Sequence, residues 1–139
     1  MKRKSKERAR HILIPIDIYG CWVHFFWDYE DDELNRILEH KFGREQCRKL
    51  DAVSPLFAGW CARINCSHYV VFVKGLKWNS FCWGTLVHEL IHCIFKALAD
   101  RGIFGTPDTE DVFAYLAGYL TREVVKRYNK FNSKKEEKE

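Results

Sequence analysis

Trp83-Gly84-Thr85-Leu86-Val87-His88-Glu89-Leu90-Ile91-His92-Cys93-Ile94-Phe95-Lys96-Ala97-Leu98-Ala99 decides the reading of this chain. Its apolar positions Trp83, Leu86, Val87, Leu90, Ile91, Ile94, Phe95 and Leu98 recur three and four residues apart. That is the period of a helix with a wide buried face. Asn79 or Ser80 stands where an N-cap is needed, and Gly102 follows Asp100-Arg101 where the helix must stop. The spacing therefore predicts a long central helix against which the rest of the fold packs.

Inside that helix lies His88-Glu89-Leu90-Ile91-His92. Residues four apart sit one above the other on one helical face, so His88 and His92 can hold one ion together. Glu89 projects about 100° round from His88, beside the ion rather than onto it. This is the arrangement that zinc hydrolysis needs: two neutral imidazoles as ligands and a carboxylate free to accept a proton from water. A His pair plus a Glu also arises by chance on amphipathic helices, so the surroundings carry weight.

Working outward toward the N-terminus, Ile12–Ile18 alternates apolar residues around Pro15 and Asp17 and reads as a strand. Tyr19-Gly20 reads as a turn and Cys21–Trp27 as a second strand. Asp28–Asp32 places carboxylates at the positive end of a helix that runs through Leu34, Ile37, Leu38 and Phe42 to Gly43. Arg44–Leu50 suggests a short helix and Asp51–Pro55 a loop. Leu56–Ile64 and His68–Val73 read as strands joined through Asn65-Cys66-Ser67. The second is apolar enough to be covered on both faces, and Lys74–Lys77 closes it. Beyond the central helix, Gly105-Thr106-Pro107 makes a turn. Thr106 or Asp108 is placed to cap a last helix reaching about Tyr128. The expected fold is α+β: a small antiparallel or mixed sheet packed on the central helix, followed by a C-terminal helix. One domain over residues 11–131 is flanked by a basic tail, 1–10, and a charged tail, 132–139.

Catalytic zinc takes three protein ligands and leaves one position open. The third should come from the last helix, where Glu110 and Asp111 are the candidates. Asp111 shares a stripe with Ala114, Tyr115 and Gly118, whose small members would let the two helices approach closely. Glu110 shares its stripe with Ala114 and Ala117 and reaches further. Either acid also serves simply to offset the helix dipole.

The stretch Trp78–Leu120 resembles the gluzincin metallopeptidases, and in particular the small stand-alone HExxH proteins of bacteriophages and prophages. Several gluzincins carry HExxH, eighteen residues, then a Glu followed by x-x-Ala or x-x-Ser. Here eighteen residues separate His92 from Asp111, and Asp111-Val112-Phe113-Ala114 has that form. The resemblance implies zinc-dependent peptide-bond hydrolysis in a bacterial or phage-infected cytoplasm. His88, His92 and Asp111 or Glu110 would be the metal ligands, and Glu89 the base. The chain departs from the pattern in having Asp where the family has Glu. Tyr115 replaces the acid that often follows the Ala. Tyr115 is a candidate to orient a histidine or stabilise an oxyanion, and equally a core aromatic. His68–Val73 is the strand against which an extended peptide substrate would lie.

Composition narrows the alternatives. The 139 residues carry a net charge of +4. Met1–Arg10 holds six Lys or Arg against one Glu, so the other 129 residues sum to −1. Such a tail can touch nucleic acid or an acidic partner, but is commonly just a solvated end. No apolar run reaches a membrane span and no signal peptide is evident. The six cysteines, Cys21, Cys47, Cys61, Cys66, Cys82 and Cys93, therefore read as small hydrophobes in a reducing compartment. The alternative to an enzyme is a zinc-braced binding or assembly module, whose coordination shell a fourth protein ligand would close.

Overall fold

The computed structural model describes residues 9–47, 58–77 and 79–137. Strands β1 (His11–Ile16), β2 (Cys21–Trp27), β3 (Gly59–Asn65) and β4 (His68–Val73) form one sheet in the order β1-β2-β4-β3. β1 with β2 and β3 with β4 are antiparallel, while β2 with β4 is parallel. The sheet is thus mixed, and helices accompany it: α1 (Asp31–Phe42), α2 (Arg44–Cys47), α3 (Ser80–Ala99) and α4 (Glu110–Glu136).

The period-2 pattern divides the sheet's two faces. Ile12, Ile14, Ile16, Val23, Phe25, Trp27, Tyr69, Val71 and Val73 point toward α3 and α4. Phe26, Ala62, Ile64, Val70 and Phe72 point the other way, onto Leu34 and Leu38 of α1 and Cys47 of α2. β4 is paired on both edges and covered on both faces, which explains its unbroken apolar run. β1 ends two residues before the expected Ile18. There the chain makes a short 3-10 turn, Asp17–Tyr19, that Gly20 closes at φ +61. Ile18 is left exposed. Pro15 lies on an edge strand, where its missing N–H costs no ladder bond.

α3 begins at Asn79, whose side chain accepts the Cys82 N–H at 2.9 Å. Its far end is clamped to the sheet. The Tyr69 hydroxyl and the Arg63 guanidinium both donate to Asp100 Oδ2. Arg101 donates to the carbonyls of Tyr19, Ala97 and Cys66 and to the Tyr69 hydroxyl. Both ends of α3 are therefore fixed, and with them the direction of every side chain along it.

α4 runs eight residues past the expected Tyr128, to Glu136. Phe131 packs against Trp27 at 5.1 Å between ring centroids, which gives the extra turns something to hold. Its N-cap is Thr109 rather than Thr106 or Asp108. The Thr109 hydroxyl accepts the Thr106 N–H within the turn. Among the described residues no helix is long and apolar enough to cross a membrane. Among the described residues no cysteine is in a disulfide, with Cys21, Cys47, Cys82 and Cys93 buried and Cys66 exposed. The expected basic tail up to residue 8, the loop over 51–55 and the first residues of the third strand lie outside the described residues.

Candidate metal centre

α3 buries Cys82, Leu86, Glu89, Leu90, Cys93, Ile94, Ala97 and Leu98. This differs from the face expected from the sequence, since Val87, Ile91 and Phe95 are exposed. The helix is apolar nearly all the way round, so periodicity alone does not say which side meets the sheet. The side it selects is centred on Leu86, Leu90 and Cys93, and His88 and His92 consequently face solvent.

The two imidazoles stand together. His88 Nε2 and His92 Nε2 are 3.0 Å apart, with the rings nearly perpendicular at 77°. At that distance one ring can donate an N–H to the other, the direction being set by the tautomers. An ion about 2.0–2.1 Å from both nitrogens would subtend an angle near 95°. Opening the pair by a few tenths of an ångström gives the tetrahedral value. The pair therefore fits two positions of a zinc shell.

Glu89 sits differently from its neighbours. It is 8% exposed, pressed between α3 and the start of β3. Burial pushes its carboxyl pKa up, an effect partly offset by the neighbouring His88, His92 and Lys96 side chains. A carboxylate with a raised pKa beside a polarised water suits a general base. Gly59 makes this packing possible. A Cβ there would stand 2.6 Å from the Phe72 carbonyl oxygen, 3.0 Å from Thr85 Cγ2 and 3.3 Å from Glu89 Cγ. Sequence reasoning missed Gly59, because a glycine at the mouth of a strand carries no local mark of what approaches it.

His88 and Glu89 line an open cleft of about 490 Å³ together with Phe81, Gly84 and Thr85 of α3 and with Ala58 and Gly59 at the start of β3. The strand beside the pair is thus β3, which lies at the sheet edge. His68–Val73 was the expected substrate strand. That expectation fails because β4 lies between β2 and β3, and both of its edges are already hydrogen-bonded.

The acids of α4 are not brought to the pair. Among the described residues no three His, Cys, Asp or Glu side chains gather as a metal-binding group. α4 buries Leu116, Leu120, Val124 and Tyr128, and Glu110 and Asp111 point well away from that stripe and are exposed. Phe113 packs on Phe95 at 4.7 Å, and Trp83 shares a small cavity with Val124 and Tyr128, so the helices run antiparallel. Phe113 standing level with Phe95 puts Asp111 roughly 7 Å further along than His92. The stripe expected to approach α3 faces outward: Ala114 and Tyr115 are exposed, and a Cβ on Gly118 would meet only Arg122 within 4 Å. Tyr115 is 65% exposed and stacks on Tyr119 at 6.5 Å, so it is neither a core aromatic nor in contact with the pair's cleft.

No protein-family model, curated protein or solved structure matches the chain. The functional reading rests on these side chains and their geometry.

Proposed function

We propose that the protein is a zinc-dependent peptide hydrolase in which His88 and His92 hold the metal and Glu89 is the base. One observation carries this reading: His88 and the buried Glu89 line a cleft together with the start of an edge strand, and His92 stands 3.0 Å from His88. Bound zinc would supply a polarised carbonyl and an acidified water. Glu89 accepts the water's proton and passes it to the departing amine. β3 presents its outer edge to an extended peptide, whose main chain would lie along it as an added strand.

Asp111 and Glu110, turned outward on α4, do not complete the shell in this arrangement, so the two imidazoles would be its protein ligands. Asp111→Ala and Glu110→Ala should leave zinc affinity unchanged, and a loss in either would identify that acid as a third ligand. Six cysteines without a disulfide among the described residues suit a reducing cytoplasm.

The test is Glu89→Gln, which keeps the shape and removes the base. It should retain zinc while peptide hydrolysis falls by about 10²–10⁴-fold. Undiminished hydrolysis rejects Glu89 as the base. A wild type that binds zinc and cuts no peptide in a random library points to the zinc-braced binding module instead.

A further inference from the structure

One chain offers zinc two imidazoles, and among the described residues no third His, Cys, Asp or Glu joins them. A structural zinc ion takes four protein ligands. The side of α3 that carries the pair is left open by the fold. At about 100° per residue, Phe81, Gly84, Ile91, Phe95 and Ala99 share an arc of about 100° with His88 and His92, and all are exposed. Phe81 is 70% exposed and Phe95 51%. None of the exposed side chains of α3 is Asp, Glu, Lys or Arg. Nothing charged therefore stands on this strip to repel a like strip.

The strip complements itself when turned end for end. A two-fold axis midway between the histidines, at the level of Leu90, would run α3 antiparallel to its copy. His88 would then face His92 of the second copy, and Phe81 would face its Ala99. Phe95 would fall within one residue of the second copy's Gly84. Large side chains thus meet small ones along the helix. Gly84 is the clearest sign. Glycine weakens a helix interior, and a Cβ at Gly84 would meet nothing within 4 Å. The room it leaves is used by nothing among the described residues, and it lies where Phe95 of a second copy would enter.

We propose that two copies of this chain pack α3 against α3 and share one zinc ion between their two His88–His92 pairs. The proposal rests on the pair holding zinc, as in the proposed function, and not on hydrolysis. Four imidazoles close the coordination shell, and the second helix covers the cleft lined by Phe81, Gly84 and His88. The hydrolytic form is then the monomer with an ion of its own. One ion for two chains favours the dimer. A full equivalent or more gives each pair its own ion and parts the copies.

Sedimentation velocity of the full chain during a zinc titration tests this. The metal-free protein should be monomeric, the dimer should peak at half an equivalent of zinc, and excess zinc should restore the monomer. Ile91→Lys, which places two cations beside the axis, should weaken dimerisation by at least about tenfold while the monomer still binds zinc. Gly84→Phe should weaken it similarly, and Gly84→Phe/Phe95→Ala should recover most of the loss by exchanging the large and small partners. Circular dichroism of each variant should match the wild type, and Glu89→Gln should dimerise as the wild type does. A chain that binds zinc yet stays monomeric at every ratio overturns this inference and leaves the metal pair standing. Retention of that monomer on phosphatidylcholine vesicles would assign the strip to a membrane instead. A chain that binds no zinc overturns the inference and the metal pair together. A dimer that persists in His88→Ala/His92→Ala, or is untouched by Gly84→Phe, also overturns it.

Discussion

Two groups of histidines in this protein have nearly the same spacing and opposite surroundings. His88 and His92 stand 3.0 Å apart on the solvent side of α3. His11, His24 and His68 form a chain across β1, β2 and β4, with contacts of 3.2 Å and 2.9 Å. That chain lies on the sheet face covered by α1, where Phe42 packs on both His24 and His68. His24 is 2% exposed and both its ring nitrogens are engaged. The comparison separates two uses of imidazole. The exposed pair turns its two Nε2 atoms toward each other on the solvent side of α3, where an ion could reach both. In the buried chain each contact joins one N–H to one lone pair, so the three tautomers are set by one another. Burial holds His24 and His11 neutral. It lowers His24 to about 3, with smaller contributions from His11, Lys41 and His68, and His11 to about 4, with Lys41 adding to the effect.

Acid should break the comparison most strongly. His11 and His24 stay neutral in the folded protein, whereas in the unfolded chain they take up protons near their ordinary pKa of about 6.5. Their contribution to stability is fully present above about pH 6.5. It is lost progressively as the pH falls through the folded values near 4 and 3. Unfolding by urea should show a loss on the order of 3 kcal/mol between pH 6.5 and 4.5. His24→Leu should flatten that slope, and an unchanged slope would remove the buried chain as its cause.

Gly59→Ala acts on the exposed side of the comparison. The added methyl meets the Phe72 carbonyl and crowds Thr85 and Glu89. It should cost about 1–2 kcal/mol in urea unfolding and depress hydrolysis through a displaced Glu89, with zinc affinity little changed. The smallest effect is expected from Phe42→Ala, which lets water reach His24 and His68. The acid sensitivity between pH 6.5 and 4.5 should then shrink by about 1 kcal/mol.

The contrast also shows what a sequence can disclose. The exposed histidine pair is visible because both rings lie on one helix, where four residues always mean one face. β2 and β4 were readable to the residue, since an apolar run bounded by Gly20 at one end and Lys74 at the other leaves little choice. The buried chain of histidines was not readable. Its members are 13 and 44 residues apart in sequence and meet only because β2 pairs with β1 on one side and β4 on the other. The same applies to β3 as the edge strand and to the close approach at Gly59. The count from His92 to Asp111 is correct in sequence, but spacing does not report how a helix is rotated. Leu116, Leu120 and Val124 claimed the core, and Asp111 turned outward with Tyr115. Val87, Ile91 and Phe95 show the same limit on α3, where more apolar surface was available than the sheet could cover.

Zinc binding is the most direct measurement of the central claim. Isothermal titration of the metal-free wild type should give one zinc per chain. His88→Ala/His92→Ala should abolish that binding, whereas His11→Ala/His68→Ala should keep it. Stoichiometric zinc retained by His88→Ala/His92→Ala, or lost only from His11→Ala/His68→Ala, would contradict the account.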